Sequence, residues 1–479
     1  MPGSRAAQES AGSAPRPTTL GELRASGWAS VPVKEEVRRN AARRVAEGRP
    51  IVEGVRGYED TVLPQIENAL LAGHDIIFLG ERGQAKTRMI RSLTGLLDEW
   101  LPVVAGSEIL DDPYAPVSRH ARDLVALQGD DAPIEWVHRD TRFGEKLATP
   151  DTAIADLIGE VDPIKVAEGR YLSDELTIHY GLVPRTNRGI FAINELPDLA
   201  ERIQVGLLNV LEERDVQIRG YKVRLPLDIL LVASANPEDY TNRGRIITPL
   251  KDRFGSQIRT HYPLDLATEV EVIRQEAVPF DAGGVHVEVP GFMVDVIGTI
   301  SQLARVSPHV NQRSGVSVRL SVANFEVLSA AAARRALRAG ERDAVPRVSD
   351  LDALAASTSG KIEVEALEDR GDADVVQRLL RAAVLTVFKE RVPSPRVADI
   401  VLSFDEGTVL HAGDDVPSTA YVNALEQLPA LKGVVVDLTE GAESPALLAS
   451  AVEFVLEGLH LSKRLNKDSA GPRSTYTSR

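Results

Sequence analysis

The residues Leu79-Gly80-Glu81-Arg82-Gly83-Gln84-Ala85-Lys86-Thr87 decide the fold class that this 479-residue chain is predicted to adopt. The apolar run 75–79 precedes them and a helical pattern follows, and a glycine-containing turn in that context is typical of a phosphate-binding P-loop. In such a loop, backbone N–H groups at the start of the helix face phosphate oxygens. Lys86 would add a positive charge, and Thr87 would offer its hydroxyl to Mg²⁺. The stretch therefore predicts that residues 80–87 bind ATP with Mg²⁺.

One position departs from the strict P-loop pattern G-x-x-x-x-G-K-[ST]. Ala85 stands where the second glycine is expected. We expect alanine to be tolerated there only if its φ angle stays negative, because left-handed backbone favours glycine. A chance combination of strand, glycine turn and helix is the alternative explanation for this stretch taken alone.

A second apolar run, 189–193, ends in Asn194 and Glu195. An apolar strand with an acidic end is typical of a Walker B strand, in which an Asp holds Mg²⁺ through water and the next Glu orients the attacking water. Asn194 occupies the Asp position, so it can accept a hydrogen bond from a metal-bound water but carries no charge. Glu195 is the predicted water-polarising base. A buried strand with a polar end is the alternative.

Three further polar residues are candidates for the same site. Asn236 follows the apolar run 229–234 and would position a water, although a turn-forming Asn-Pro is the plainer explanation. Arg253 would stabilise the transition-state charge on the phosphoryl group transferred in a neighbouring subunit. An ordinary surface ion pair is the alternative role for Arg253. Arg319 begins a long helical stretch and would fold over the nucleotide, and Arg313 competes for that role.

Helical segments alternate with short apolar runs between about residues 60 and 265. This alternation predicts an α/β fold, with a parallel five-stranded sheet covered by helices on both faces. The predicted strands lie at 75–79, 134–137, 189–193, 229–234 and 258–262. The predicted regions are a disordered tail at 1–30, the nucleotide-binding αβα core at 31–265, a helical lid at 266–392, a small C-terminal region at 393–463 and a disordered tail at 464–479.

Composition excludes several classes of protein. The chain has no cysteine, so it forms neither disulfides nor thiolate metal sites. Its net charge of -15 disfavours a general nucleic-acid surface. We see neither an apolar run long enough to span a membrane nor a secretory signal, and we expect a cytoplasmic protein.

Together these motifs resemble the AAA+ superfamily, and within it the MoxR and magnesium chelatase I-subunit branch. The ending Ala85-Lys86-Thr87 is similar to the MoxR form of the P-loop. The resemblance covers roughly residues 50–335. Residues 149–162 and 171–187 resemble the insert of this branch, 207–216 the helix and turn after Walker B, and 221–226 the hairpin before sensor 1. Residues 252–255 resemble the arginine-finger segment and 317–319 resemble sensor 2.

The resemblance implies an ATPase that works as a homo-oligomeric ring, a hexamer, with Arg253 reaching the neighbour's nucleotide. It also implies a chaperone-like action, remodelling or metal-insertion assistance, on a client protein such as one carrying a von Willebrand A domain. Three alternatives stay open: a nucleotide-dependent switch with weak hydrolysis, a ring helicase, and a sigma-54-type transcription activator. The last would need a GAFTGA-type loop, which the sequence lacks.

Overall fold

The computed structural model describes residues 16–161, 177–213, 225–236, 245–280, 283–312, 314–364, 372–404, 408–471 and 473–479. The chain divides into two compact units. The first contains the residues up to Gly80 together with 85–260, and the second contains 81–84 together with 261–479. No helix in the described ranges is both long enough and apolar enough to cross a membrane.

The first unit is built on a five-stranded parallel sheet with the strand order β4-β7-β8-β1-β9. This confirms the predicted fold class. The strands of the unit are Ile76–Leu79 (β1), Trp100–Val104 (β2), Ile134–His138 (β3), Phe143–Leu147 (β4), Gly159–Val161 (β5), Ile178–Tyr180 (β6), Gly189–Asn194 (β7), Ile229–Ala235 (β8) and Ser256–Arg259 (β9). Its α-helices are Leu20–Ala25 (α1), Val33–Ala46 (α2), Val62–Leu71 (α3), Lys86–Ser92 (α4), Arg119–Gln128 (α5), Ile154–Leu157 (α6), Leu182–Arg185, Glu201–Glu213 and Thr248–Arg253.

Successive residues of the central strands face two different hydrophobic clusters. Ile77, Phe191 and Leu231 pack in one cluster, whereas Ile76 and Phe78 pack in the other. A strand buried on both faces has a continuous apolar sequence instead of an alternating one. This burial explains why β1, β7 and β8 were recognisable as short apolar runs.

One predicted strand of this sheet was wrong. Residues 134–137 lie in β3, which pairs antiparallel with β2 in a separate two-stranded sheet. The fifth strand of the main sheet is β4, which pairs with β7. Because β4 is an edge strand whose centre is Gly144-Glu145-Lys146, its sequence has no apolar run to reveal it.

The N-terminal region is also more structured than the sequence predicted. A disordered tail was expected for residues 1–30, but residues 16–30 contain α1 and contact the β2–β3 sheet. The Leu20 backbone N–H donates to the Ala132 carbonyl at 2.9 Å, and the Trp136 indole donates to the Pro17 carbonyl at 2.8 Å. Residues 1–15 lie outside the described ranges.

The second unit is mainly helical. Its strands are His286–Val287 (β10), Asp343–Ala344 (β11), Val409–Gly413 (β12), Leu465–Ala470 (β13) and Arg473–Ser478 (β14). Its α-helices are Leu266–Glu276, Gly291–Val306, Arg319–Ala339, Leu354–Ser359, Asp372–Arg391, Ser394–Leu402, Ser418–Gln427, Pro429–Leu438 and Pro445–Leu461.

The predicted helical lid (266–392) and the predicted small C-terminal region (393–463) both lie in this unit, and the boundary between them stays a prediction. One hydrophobic cluster extends from Ile273 to Tyr476 and includes residues from both predicted regions. Pro393 is the N-cap residue of the helix Ser394–Leu402. The short apolar runs 400–404 and 433–438 lie mainly in helices, and their sequences alone do not distinguish a strand from a buried helix.

The last residues form a hairpin instead of the disordered tail predicted for 464–479. Strands β13 and β14 pair antiparallel, and β14 also pairs with β12. Tyr476 anchors the hairpin, because its buried hydroxyl donates to Glu457 Oε2 at 2.6 Å. Burial and the Glu457 carboxylate raise the pKa of this tyrosine. The polar sequence concealed the hairpin, since Leu465 and Tyr476, both buried, are the only large apolar residues in 464–479.

A buried ion pair links α2 to the start of the sheet. The Arg142 guanidinium donates to both oxygens of Glu36, at 2.8 and 2.6 Å, and the side chains are 0% and 3% exposed. Arg142 also donates to the Arg188 carbonyl, just before β7. Removing one partner of such a pair leaves the other charge buried without compensation.

We therefore expect Glu36→Ala to lower the free energy of unfolding by about 3–5 kcal/mol. Glu35→Ala is the matched control, because Glu35 lies beside it in the first turn of α2 and pairs with Arg38 in solvent. That exposed pair contributes only about 0–1 kcal/mol. Urea denaturation of both variants measures the difference, and equal losses would contradict the assigned importance of the buried pair.

Candidate functional site

The turn between β1 and α4 holds the predicted P-loop. The Gly80 backbone N–H donates to the Ala235 carbonyl of β8 at 3.1 Å. Lys86 is buried, and its ammonium donates to the Gly80 carbonyl. The lysine is therefore held inside the turn, with its charge at the end of the sheet where β1 stops.

Ala85 has left-handed backbone, with φ at 55°. The expectation that alanine is tolerated here only at negative φ was wrong. A non-glycine residue in this conformation costs about 1–2 kcal/mol, and such strain persists where surrounding structure fixes the backbone. Here the residue is fixed between the turn and helix α4, whose first hydrogen bond runs from Met89 N–H to the Ala85 carbonyl at 3.0 Å.

Residues Glu81–Gln84 of the loop belong to the second unit. Gly83 has φ at 77°, and a methyl group on it would lie 1.8 Å from Ser317 Oγ. The Tyr262 hydroxyl donates to the Arg82 carbonyl at 3.0 Å. Gly83 is therefore required both for its backbone angle and for the close approach of Ser317.

The polar ends of β7 and β8 lie at the same edge of the sheet as the loop after β1, because all three strands are parallel. Asn194 is the last residue of β7, and Glu195 follows it with φ at 56°. Asn236 follows β8 directly and is 1% exposed. The structure thus brings Asn194, Glu195 and Asn236 to the edge where Lys86 and Thr87 begin their helix.

Hydrogen bonds fix the Asn194 amide in one orientation. Its Oδ1 accepts from Ser234 Oγ at 3.2 Å, and its Nδ2 donates to Glu145 Oε1 at 2.5 Å. Ser234 Oγ in turn accepts from the Glu195 backbone N–H at 3.3 Å. Nothing in the sequence indicated Glu145, because the strand containing it has no recognisable apolar pattern. Ser234 lies in the predicted strand 229–234, but its contact with Asn194 depends on the pairing of β8 with β7.

Glu145 also forms an ion pair with α4. Arg91 donates to the two carboxylate oxygens at 2.8 and 3.2 Å. These hydrogen bonds and the carboxylate charge raise the pKa of the Arg91 guanidinium. The pair connects the helix that follows the predicted P-loop to the strand beside Asn194.

The Asn236 side chain has an unsatisfied acceptor. Among the described residues, no donor reaches its buried Oδ1. A buried carbonyl oxygen without a donor costs about 1–3 kcal/mol. A polar ligand or a water carried with it would satisfy this atom, which fits the predicted role of Asn236 in positioning a water.

The two predicted arginines, Arg253 and Arg319, lie at the ends of two helices. Arg253 is exposed and ends the helix Thr248–Arg253, shortly before β9. Arg319 is exposed and begins the helix Arg319–Ala339 of the second unit. Its proposed contact with the nucleotide stays a prediction. Arg313 lies outside the described residues, as do parts of the predicted insert and hairpin at 162–176 and 214–224.

The chain is similar to several curated proteins. It is 26% identical over 327 residues to the magnesium-chelatase 38 kDa subunit of Cereibacter sphaeroides, covering 63% of this chain and 89% of that protein. It is 30% identical over 218 residues to the corresponding subunit of Acidiphilium rubrum, covering 44% of this chain and 58% of that protein. It is 28% identical over 243 residues to the magnesium-chelatase subunit ChlI of a Nostoc species, covering 50% and 60%. The chain therefore spans less than two thirds of the length of the last two.

A family match and structural similarities accompany these relatives. Residues 167–253 match the family described as the Sigma-54 interaction domain. A magnesium chelatase chain from a cryo-EM study of the complex of subunits BchI and BchD is 21% identical, with a TM-score of 0.34 and coverage of 68% of this chain and 97% of that chain. NtrX from Brucella abortus is 16% identical, with a TM-score of 0.39 and coverage of 72% and 66%. At TM-scores this low, the structural similarities carry no argument about the fold of this chain.

The left-handed backbone at Ala85 should lower the free energy of unfolding relative to a glycine at this position. We expect Ala85→Gly to raise the free energy of unfolding by about 0.5–1 kcal/mol, because glycine adopts this conformation without strain. The matched control is Ala42→Gly in the exposed face of α2. That change should lower stability by about 1 kcal/mol, as glycine does in a helix interior. Thermal and urea denaturation measure both, and a loss of stability in both variants would contradict the assigned strain.

Proposed function

We propose that this chain, an AAA+ protein of the magnesium chelatase I-subunit branch, binds ATP with Mg²⁺ and hydrolyses it at the carboxyl edge of its parallel sheet. One observation carries the proposal. A turn that encloses a buried lysine lies at the same sheet edge as the polar ends of two neighbouring strands. Lysine ammonium, backbone N–H groups and a threonine hydroxyl are suited to phosphate oxygens and their metal ion.

Each side chain then has a proposed task. Lys86 binds the β- and γ-phosphates, and the backbone of residues 80–87 cradles them. Mg²⁺ bound with the nucleotide would neutralise phosphate charge, and Thr87 and Asn194 are the residues placed to hold it, Asn194 through a water. Glu195 accepts a proton from the attacking water. Asn236, whose buried oxygen accepts from no donor in the described ranges, holds that water in place.

We further propose that the protein acts as a homo-oligomeric ring, a hexamer, with Arg253 supplied to the site of the next subunit. The exposed position of Arg253 supports this, because a residue acting in trans must project from the surface. The work done by the ring would be remodelling of a partner protein, such as one with a von Willebrand A domain. This proposal rests on the relatives named as magnesium-chelatase subunits and on the MoxR-like sequence Ala85-Lys86-Thr87.

A second candidate function is a nucleotide-dependent switch with weak hydrolysis. Asn194 favours it, because the end of β7 itself contributes no carboxylate next to Glu195. Transcription activation of the sigma-54 type is not proposed, although residues 167–253 match that domain, since the chain has no GAFTGA-type sequence. Steady-state release of phosphate from ATP separates the ATPase from the switch, because only the ATPase turns over repeatedly.

The first test concerns nucleotide binding. Lys86→Ala should reduce ATP affinity about ten- to a hundredfold, because a charge-assisted contact contributes about 1.5–3 kcal/mol. Lys389→Ala, which removes an exposed lysine of the second unit, is the control and should bind normally. Calorimetry measures both affinities, and circular dichroism verifies that the variants are folded. Unchanged affinity in a folded Lys86→Ala protein would remove Lys86 from the site.

The second test concerns the shared site. Arg253→Ala should bind ATP nearly normally yet hydrolyse it slowly. Glu195→Gln should behave likewise, because it loses the base. Mixed rings of the two variants should recover part of the ATPase rate, since some interfaces combine an intact Arg253 with an intact Glu195. If mixed rings form, as shown by cross-linking, and no mixture is active, Arg253 does not act in trans.

A further inference from the structure

We propose that Glu145 of β4 supplies the negative charge that Asn194 lacks, and that Arg91 occupies this carboxylate until nucleotide-bound Mg²⁺ weakens the ion pair. The inference rests on the proposed function, because it concerns the same site. Glu145 and Arg91 are then positioning residues that set how much Mg²⁺ the protein needs to bind ATP.

The register of the sheet places the carboxylate beside the amide. Strand β4 runs parallel to β7, with Glu145 opposite Ala192 and Leu147 opposite Asn194. The Glu145 side chain reaches along the strands, and its Oε1 accepts from Asn194 Nδ2 at 2.5 Å. A hydrogen bond to a charged acceptor is roughly twice as strong as one between neutral groups.

The hydrogen bond from Asn194 to Glu145 increases the negative charge on the Asn194 amide oxygen. A carboxylate that accepts from the NH₂ group of an amide polarises the amide, so the amide oxygen becomes a better acceptor. In Asn194 that oxygen is held by Ser234 on the neighbouring strand and retains a second lone pair. Asn194 and Glu145 together therefore carry the single negative charge that an aspartate at the end of β7 would carry alone.

Arg91 is a cation that another cation can replace at the Glu145 carboxylate. It is 64% exposed while Glu145 is 21% exposed, and ion pairs with an exposed member contribute little to stability. The side chain extends from α4, the helix that begins with Lys86 and Thr87. A divalent cation held near Thr87 would compete electrostatically with Arg91 for the same carboxylate.

A purely structural ion pair predicts a different behaviour. If the pair only ties α4 to β4, removing either partner breaks the same contact and both changes affect binding in the same direction. If Glu145 attracts the metal and Arg91 opposes it, the two changes have opposite effects. The sign of the two effects therefore distinguishes the explanations.

The experiment measures the affinity of the full chain for a non-hydrolysable ATP analogue by calorimetry at increasing Mg²⁺. Glu145→Gln should raise the half-saturating Mg²⁺ concentration about five- to tenfold, since it replaces a charged acceptor by a neutral one. Arg91→Gln should lower that concentration, about two- to fivefold. The control Arg88→Gln, on the same helix with its guanidinium bonded to the Gly54 carbonyl, should leave it unchanged.

A double variant tests whether a negative charge at residue 194 can replace the one at residue 145. Combining Asn194→Asp with Glu145→Gln returns the charge to β7 and keeps a hydrogen bond between the two side chains. It should bring the Mg²⁺ requirement back to within about twofold of the native protein. Thermal denaturation of every variant identifies any that is unfolded, and the double variant keeps the test valid if Glu145→Gln alone is unstable.

The outcomes are separable. Normal affinity for the analogue with equal Mg²⁺ requirements in all variants would overturn this inference alone. Shifts of the same sign for Glu145→Gln and Arg91→Gln would also overturn it, in favour of a structural ion pair. If the native protein bound no ATP analogue at any Mg²⁺ concentration, the proposed function would fail and this inference with it.

Discussion

The parallel pairing of β8 with β7 on one side and β1 on the other is the constraint on which the site depends. Parallel strands end at the same edge of a sheet, so residues far apart in sequence leave their strands side by side. The register sets Ile193 opposite Ala233 in β8, and Leu79 of β1 opposite Ala235. A shift by one residue would exchange the side chains that pack in the two hydrophobic clusters on either side of the sheet.

The chain must turn sharply where these strands end, and it does so at an energetic cost. Ala85 and Glu195 both have left-handed backbone, each costing about 1–2 kcal/mol. Neither residue is glycine, so the surrounding contacts must hold these angles. Strain of this kind is concentrated in binding and catalytic sites, where a fixed geometry matters more than local stability.

The electrostatics of the site are distributed over three strands and one helix. Asn194 is neutral, yet its amide lies between Ser234 and Glu145, and Glu145 is in contact with Arg91. The charge expected at one position is thus located on a neighbouring strand.

The sequence by itself determined the parallel α/β core, the position of the turn between β1 and α4 and the order of the polar strand ends, because each is a local pattern. Continuous apolar runs mark strands buried on both faces, and β1, β7 and β8 are of that kind. Only the tertiary structure decided which segment forms the edge strand β4, since an edge strand needs no apolar run. It also showed that the polar residues 464–479 form a hairpin anchored by Tyr476, and that residues from Ile273 to Tyr476 share one core. The left-handed angle of Ala85 and the contact of Glu145 with Asn194 arise from packing and register between segments distant in sequence, which no local pattern records.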